Sequence, residues 1–235
     1  VKKPDIDWDR ILDRTWFWFR VTAGLIVLSI ISYGVGTFYP NKMAIDKVSE
    51  DTEQYYISKM KDMELREPEF TYSNDIQFVR AMHKCIDYIN FTLPRVKRVP
   101  YEMIIGQAAL ETGWGTSRFA VEGNNLFGIR TWNKDTPNMI PIGIKKWPGW
   151  GVRIFASKCD SVKEYVRLLN EHSAYKKFRE TRDNMFVKNI DLDPIILIKT
   201  LDKFSTTADY DQRVIRIIKR VRKLEDTYAS DKTIK

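Results

Sequence analysis

The chain has 235 residues, 43% of them hydrophobic and 13% aromatic, which suffices for one folded domain with appendages and excludes a disordered chain. Its two histidines, His83 and His172, stand far apart without zinc-ligand spacing, so no metal and no cofactor is expected. The net charge of +8 is carried from Lys145 onward and favours anionic partners, but the basic residues alternate with core-facing Ile and Val and match no nucleic-acid motif, so nucleic acid is not expected.

In chain order, the first element is an uncharged run from Val21 to Phe38, about 18 residues long and close to the minimum for a membrane-crossing helix. Trp16, Phe17, Trp18, Phe19 and Tyr39 flank it as interfacial aromatics. Lys2, Lys3, Arg10, Arg14 and Arg20 precede the run, while only Lys42 and Lys47 follow closely. The positive-inside rule then places residues 1–20 in the cytoplasm, a transmembrane signal anchor at 21–39, and the rest outside. No Ala-x-Ala cleavage site follows, so the anchor is read as uncleaved. Small residues such as Gly24, Ser29, Ser32 and Gly34 dilute it and suit helix packing.

Residues 40–70 read as a charged helical spacer ending at Glu67-Pro68, with Ile45, Val48, Tyr55, Tyr56, Met60 and Met63 as an apolar stripe of broken heptad spacing. A globular domain follows over 71–229, with a short tail at 230–235. Asp75 to Phe91 is an amphipathic helix capped by Ser73 or Asn74, with Phe78, Met82, Cys85, Ile86 and Ile89 inward. Pro100 opens a second helix at its first position, and the apolar Met103, Ile104, Ala108 and Leu110 leave Glu111 half buried near the helix end. Burial and the negative end of the helix dipole both disfavour an ionised carboxylate, so the pKa of Glu111 is expected to be raised.

After the turn Gly113-Trp114-Gly115, two strand-like runs, Ile140 to Lys146 and Val152 to Phe155, flank Pro148-Gly149-Trp150-Gly151 and predict a small β-hairpin lobe. Three further helices are predicted: Ser161 to Asn170 with a Ser161/Glu164 capping box, Pro194 to Lys203 capped by Asp193, and Tyr210 to Tyr228. Cys85 and Cys159 both fall at core positions outside the membrane, and two cysteines leave open whether they pair.

The segment Ala108-Ala109-Leu110-Glu111-Thr112-Gly113-Trp114-Gly115-Thr116-Ser117-Arg118-Phe119, with Asn124-Asn125-Leu126-Phe127-Gly128 after it, resembles the glucosaminidases of glycoside-hydrolase family 73, the Bax-like branch in particular. Leu168 to Tyr175, with its Asn170, His172 and Tyr175, continues the likeness, as do Lys203-Phe204-Ser205-Thr206 and the helix from Tyr210. The resemblance implies a mainly α, α+β lysozyme-like fold: a helical domain with a small β lobe, here preceded by one N-terminal transmembrane helix. It implies peptidoglycan glycan strands as substrate, Glu111 as general acid, and Asn125, Leu126, Phe127 and Gly128 as the groove floor. Flat aromatic rings suit the apolar faces of sugars, which makes Trp114, Phe127, Trp132, Trp147, Trp150 and Tyr175 candidates, Trp132 and Trp150 foremost; Tyr210 is a further binding candidate.

Glycosidases ordinarily use two carboxyl groups, roughly 5 or 6.5–9.5 Å apart. Met139 to Ser157 holds no acid, and Glu122 and Asp135 are the only acids between Glu111 and Asp160. Asp135, in the loop that leads to the lobe, is the candidate second acid, although Asn133 to Pro137 also reads as an exposed turn; the sparse acids around the lobe favour instead attack by the substrate's own 2-acetamido group. Phe204 stands where the family usually has a tyrosine. The leading expectation is a membrane-anchored hydrolase cleaving the β-1,4 bond on the reducing side of N-acetylglucosamine. A lytic transglycosylase and a catalytically weak wall-binding protein are the alternatives, and the sequence leaves the oligomeric state open.

Overall fold

The computed structural model describes residues 8–38, 42–63, 65–144 and 146–233. Tyr39 and parts of the expected cytoplasmic segment and C-terminal tail lie outside the described residues. The chain divides into two compact units, residues 1–52 and 53–235.

The first unit holds helix α1 (Trp8–Phe38) and the beginning of α2 (Lys42–Asp62). Within α1, Leu12–Gly34 is a 23-residue stretch of mean hydropathy 1.5 with none of its apolar window buried. At 1.5 Å rise per residue it spans about 35 Å, enough for a hydrocarbon layer of about 30 Å.

The second unit begins with the end of α2. Tyr56 packs edge-on against Phe91 at 5.7 Å and Met60 is buried, so residues expected as spacer belong with the globular unit. Helix α3 (Asp75–Thr92) starts where Asn74 accepts a hydrogen bond from the Gln77 N–H, and it buries the five residues expected on its inner face. Helix α4 (Tyr101–Thr112) begins one residue later than expected, because Pro100 keeps an extended ψ of 135° and serves as the cap. Its residues Met103 to Ala109 are all buried, in contact with α3, with α8 (Pro194–Ile198) and above all with α9 (Tyr210–Thr233). Each large aliphatic side chain so buried contributes about 1.5–3 kcal/mol. The α4–α9 approach is close enough that a Cβ on Gly106 would stand 2.9 Å from the Ile218 side chain.

The Gly-Trp-Gly turn ends α4 with three successive positive φ angles, 56° at Gly113, 60° at Trp114 and 81° at Gly115. The Tyr72 hydroxyl donates to the Gly115 carbonyl at 2.7 Å, and a Cβ there would meet that hydroxyl at 2.5 Å and Phe78 at 2.9 Å. Gly115→Ala is therefore expected to cost about 2–4 kcal/mol, checked by urea unfolding.

A short α5 (Arg118–Gly123), capped by Ser117, leads into the β lobe. The lobe is a three-stranded antiparallel sheet in the order β1-β3-β2, built from β1 (Arg130–Thr131), β2 (Asn138–Met139) and β3 (Gly151–Arg153). This corrects the expected hairpin. Strand β3 overlaps the second expected run only at Val152 and Arg153, and its partners precede the first run, where Pro141 and the positive φ of Gly143 (88°) prevent pairing.

Helix α6 (Lys158–Glu171) also departs from expectation, starting at a Ser157 cap that accepts from the Asp160 N–H. Ser161 lies inside the helix and is fully buried; its hydroxyl donates to the Lys158 carbonyl and accepts from the Leu126 N–H at 3.3 Å. Cys159 of α6 and Cys85 of α3 form a disulfide with Cα atoms 5.4 Å apart. Helix α7 (Lys176–Val187) is not foreseen by the sequence pattern, and α8 is shorter than expected because the chain leaves the helix after Ile198.

Candidate active site

The segments around α4, the β lobe, α6 and the start of α9 enclose a cleft of about 1320 Å³. Pockets for single small ligands span about 300–1,000 Å³, so this one has room for an oligomer. Glu111, near the C-terminal end of α4, projects into it. The residue is exposed to cleft solvent rather than half buried, yet protein surrounds it on its other sides. This partial desolvation pushes the Glu111 carboxyl above the usual range, opposed by the hydrogen bond from Tyr210 and the charge of Arg213.

Behind Glu111 runs a line of polar groups from the interior. The Tyr165 hydroxyl of α6 donates to Gln107 Oε1, Gln107 Nε2 donates to the Tyr210 hydroxyl at 3.0 Å, and that hydroxyl donates to Glu111 Oε1 at 2.9 Å. Gln107 is fully buried, and burial together with the Glu111 charge pushes the Tyr210 phenol far up, keeping it a donor. Sequence reasoning missed Gln107 and Tyr165. A signal existed: Gln107 is the lone amide in an apolar helix and sits four residues before Glu111, on the same face. Removing the donor favours the neutral acid, so Tyr210→Phe is expected to raise the Glu111 pKa further, measured by carbon NMR titration of its carboxyl.

Of the residues singled out from the sequence, Phe127, Gly128, Trp132, Trp150, Tyr175 and Tyr210 line the cleft with Glu111. Phe127 stacks on Tyr165 with ring centres 4.1 Å apart, and Trp132 is 73% exposed. Phe204 stacks on Tyr210 at 5.5 Å, so its ring fills a place in the cleft lining without supplying a hydroxyl.

Five residues are placed elsewhere, among them Leu126, which is fully buried, and Trp147, neither of which lines the cleft. Trp114 packs edge-on against Phe78 and beneath the Arg220 guanidinium, away from the cleft. Asn125 is fully buried: its amide donates to the Ile129 and Arg153 carbonyls, and its oxygen accepts from the Phe127 and Ile129 N–H groups. With its bonding capacity filled, it shapes the floor and leaves nothing for a ligand. Asp135 sits in an exposed turn, its N–H bonded to Asn133 Oδ1, and does not line the cleft.

Three acids that sequence reasoning passed over do line it: Glu164, Asp202 and Asp211. Glu164 is held by Arg167 through both oxygens, at 2.8 and 2.9 Å, and by Arg153 at 3.2 Å. These guanidiniums, Arg167 foremost, keep its carboxyl below the usual range. It is an ionised anchor, whereas partial desolvation favours the protonated form of Glu111.

The sequence pattern of the glucosaminidase family, described as mannosyl-glycoprotein endo-beta-N-acetylglucosaminidase, matches residues 93–223. Protein bax of Escherichia coli (strain K12) is 36% identical over 117 residues, half of this chain and 40% of that protein, so the match spans well under half of the relative's length. The glycoside hydrolase domain of FlgJ from Salmonella typhimurium superposes with a TM-score of 0.51 at 18% identity, covering 69% of this chain and 97% of that domain. That likeness shows the fold, the mainly helical lysozyme-like one with a small sheet that the sequence led us to expect. Because the family pattern takes in more than half of the sequence, the chain belongs to the glucosaminidase family and is a glycoside hydrolase.

Proposed function

We propose that the chain is a membrane-anchored peptidoglycan hydrolase that cuts the β-1,4 bond on the reducing side of N-acetylglucosamine, with Glu111 as general acid. The observation that carries this reading is a carboxyl group of raised pKa set into an aromatic-lined cleft of oligosaccharide size. Glu111 gives its proton to the glycosidic oxygen as the bond to C1 breaks. The oxygen of the substrate's 2-acetamido group bonds to C1 from the opposite face. Water then attacks C1, opens the resulting ring and returns a proton to Glu111.

Two placements support the acetamido route: Asp135 is off the cleft, and Glu164 is occupied by two arginines. Asp202 and Asp211 are the rival groups. Loss of turnover in Asp202→Asn or Asp211→Asn, with the fold intact, would replace this route by a two-acid mechanism. Phe127, Gly128, Trp132, Trp150 and Tyr175 hold the sugar rings.

The apolar stretch Leu12–Gly34 and the excess of basic residues before it support an anchor with the hydrolase unit outside. The Cys85–Cys159 bond supports the same side, since disulfides persist in oxidising compartments. There the accessible N-acetylglucosamine polymer is peptidoglycan. The test is digestion of purified sacculi by the full chain in detergent, followed by borohydride reduction and mass spectrometry. New ends reduced to N-acetylglucosaminitol are expected. Reduced muramic acid ends would move the cut to the other bond, anhydro ends would make the protein a transglycosylase, and retention on intact sacculi would make it a binding protein.

A further inference from the structure

Arg130 stands in β1 opposite Val152 of β3, and in an antiparallel pair its diagonal neighbour two residues along is Trp150. Its guanidinium lies over the Trp150 ring, 4.2 Å from the centroid, and both residues line the cleft. Arg153 and Arg167 share Glu164, Arg118 pairs with Glu122, and Arg213 acts by its charge on Glu111, whereas Arg130 is the one arginine among the described residues that lines the cleft. Arg130 has no ion-pair partner among the described residues. A stacked guanidinium keeps its in-plane N–H fork free, and that fork matches a carboxylate.

Resting on the peptidoglycan reading above, we propose that Arg130, braced by Trp150, is a specificity-determining contact that binds a carboxylate carried by the glycan strand. Plain N-acetylglucosamine polymers carry no such group. Peptidoglycan carries it on the lactyl ether when the stem is absent and on the peptide when the stem is present. The ring stacking of Trp150 recognises a sugar of either polymer, whereas the charge of Arg130 distinguishes the anionic one. Lys199 and Lys203 also line the cleft, but neither is fixed by a ring contact among the described residues, so they supply diffuse charge without that directional fork.

The test uses three soluble strand preparations: stem-bearing, stem-bearing with every carboxylate amidated, and strands freed of stems so that the lactyl carboxylate is exposed. Turnover by the full chain is compared with that of Arg130→Gln and Arg130→Lys. The wild type is expected to prefer carboxylate over amidated strands by about tenfold in kcat/KM, the size of one solvent-accessible charge-assisted hydrogen bond. The preference should collapse towards unity in Arg130→Gln, survive in part in Arg130→Lys, and fade with added salt. A preference over amidated strands shown by stem-bearing strands alone assigns the carboxylate to the peptide, one shown by stem-free strands alone assigns it to the lactyl group, and an equal preference for both shows that Arg130 accepts either. An undiminished preference in a folded Arg130→Gln protein, or none in the wild type, overturns the proposal. If the wild type cuts no strand, the hydrolase reading fails by itself. Arg130 is then judged by calorimetric binding of the same three preparations, where the same tenfold difference and its loss in Arg130→Gln are required.

Discussion

Glu111→Gln is expected to lower kcat by about 10²–10⁴-fold, the usual contribution of a positioned proton donor, while KM changes little. Glutamine keeps the shape of the side chain, and its carbonyl can still accept from the Tyr210 hydroxyl. It has no proton to give to a leaving oxygen. Stability should respond in the other direction. Because the folded protein raises the Glu111 pKa, it binds more protons than the unfolded chain between the two pKa values, and stability falls as pH rises through that window. Above it, the ionised carboxylate is a small standing cost that glutamine removes. Calorimetry at pH 7 should give a Tm equal to or slightly above wild type, and substantial turnover by such a folded variant would sink the assignment of Glu111.

The second large effect concerns the disulfide. Cys85 and Cys159 are 74 residues apart, and closing a loop of that size in the unfolded chain removes entropy worth about 4 kcal/mol. For a unit of this length that corresponds to a Tm loss of about 8–16 °C in Cys85→Ala/Cys159→Ala. Alanine is the proper replacement because both sites are buried among apolar neighbours, where a serine hydroxyl would add its own penalty. Scanning calorimetry of the double variant beside the reduced wild type checks the figure. A reduced protein that melts at the oxidised temperature would remove the bond from any account of stability. Since the bond ties α3 to the helix that carries Glu164 and Tyr165, its loss should also broaden the response of the cleft to temperature, measured as an earlier fall of activity than of helix content.

Elements whose boundaries are local chemistry were readable. Asn74 and the inward residues of α3 follow from capping and 3.6-residue spacing, and the Asp193 cap and Pro194 of α8 follow equally. The start of α6 was misread because Ser161 and Glu164 mimic a capping box, while Ser157 and Asp160 four residues earlier form the real start and Ser161 is needed inside to hold Leu126. Strands of two or three residues cannot display an alternation, so the lobe showed only its Gly and Pro punctuation. In the cleft, Trp132 and Trp150 were legible from their loop settings and Glu111 from its apolar helix. Trp114 was not: its place against Phe78 depends on α3 packing beside the turn. The part played by Gln107 and Tyr165 depends on three elements converging, which no local pattern records.

The line of hydrogen bonds behind Glu111 has a polarity. Each hydroxyl or amide hands its hydrogen one step outward, from Tyr165 through Gln107 and Tyr210 to Glu111 Oε1, so that oxygen always receives. A neutral Glu111 must therefore wear its own hydrogen on Oε2, and donation becomes regioselective, issuing from a single oxygen along a single direction. The Gln107 amide is the switch of this polarity. Rotating it by half a turn would present a donor to Tyr165 and an acceptor to Tyr210, draw the Tyr210 hydrogen inward, and turn the Tyr210 oxygen into an acceptor for a hydrogen on Glu111 Oε1.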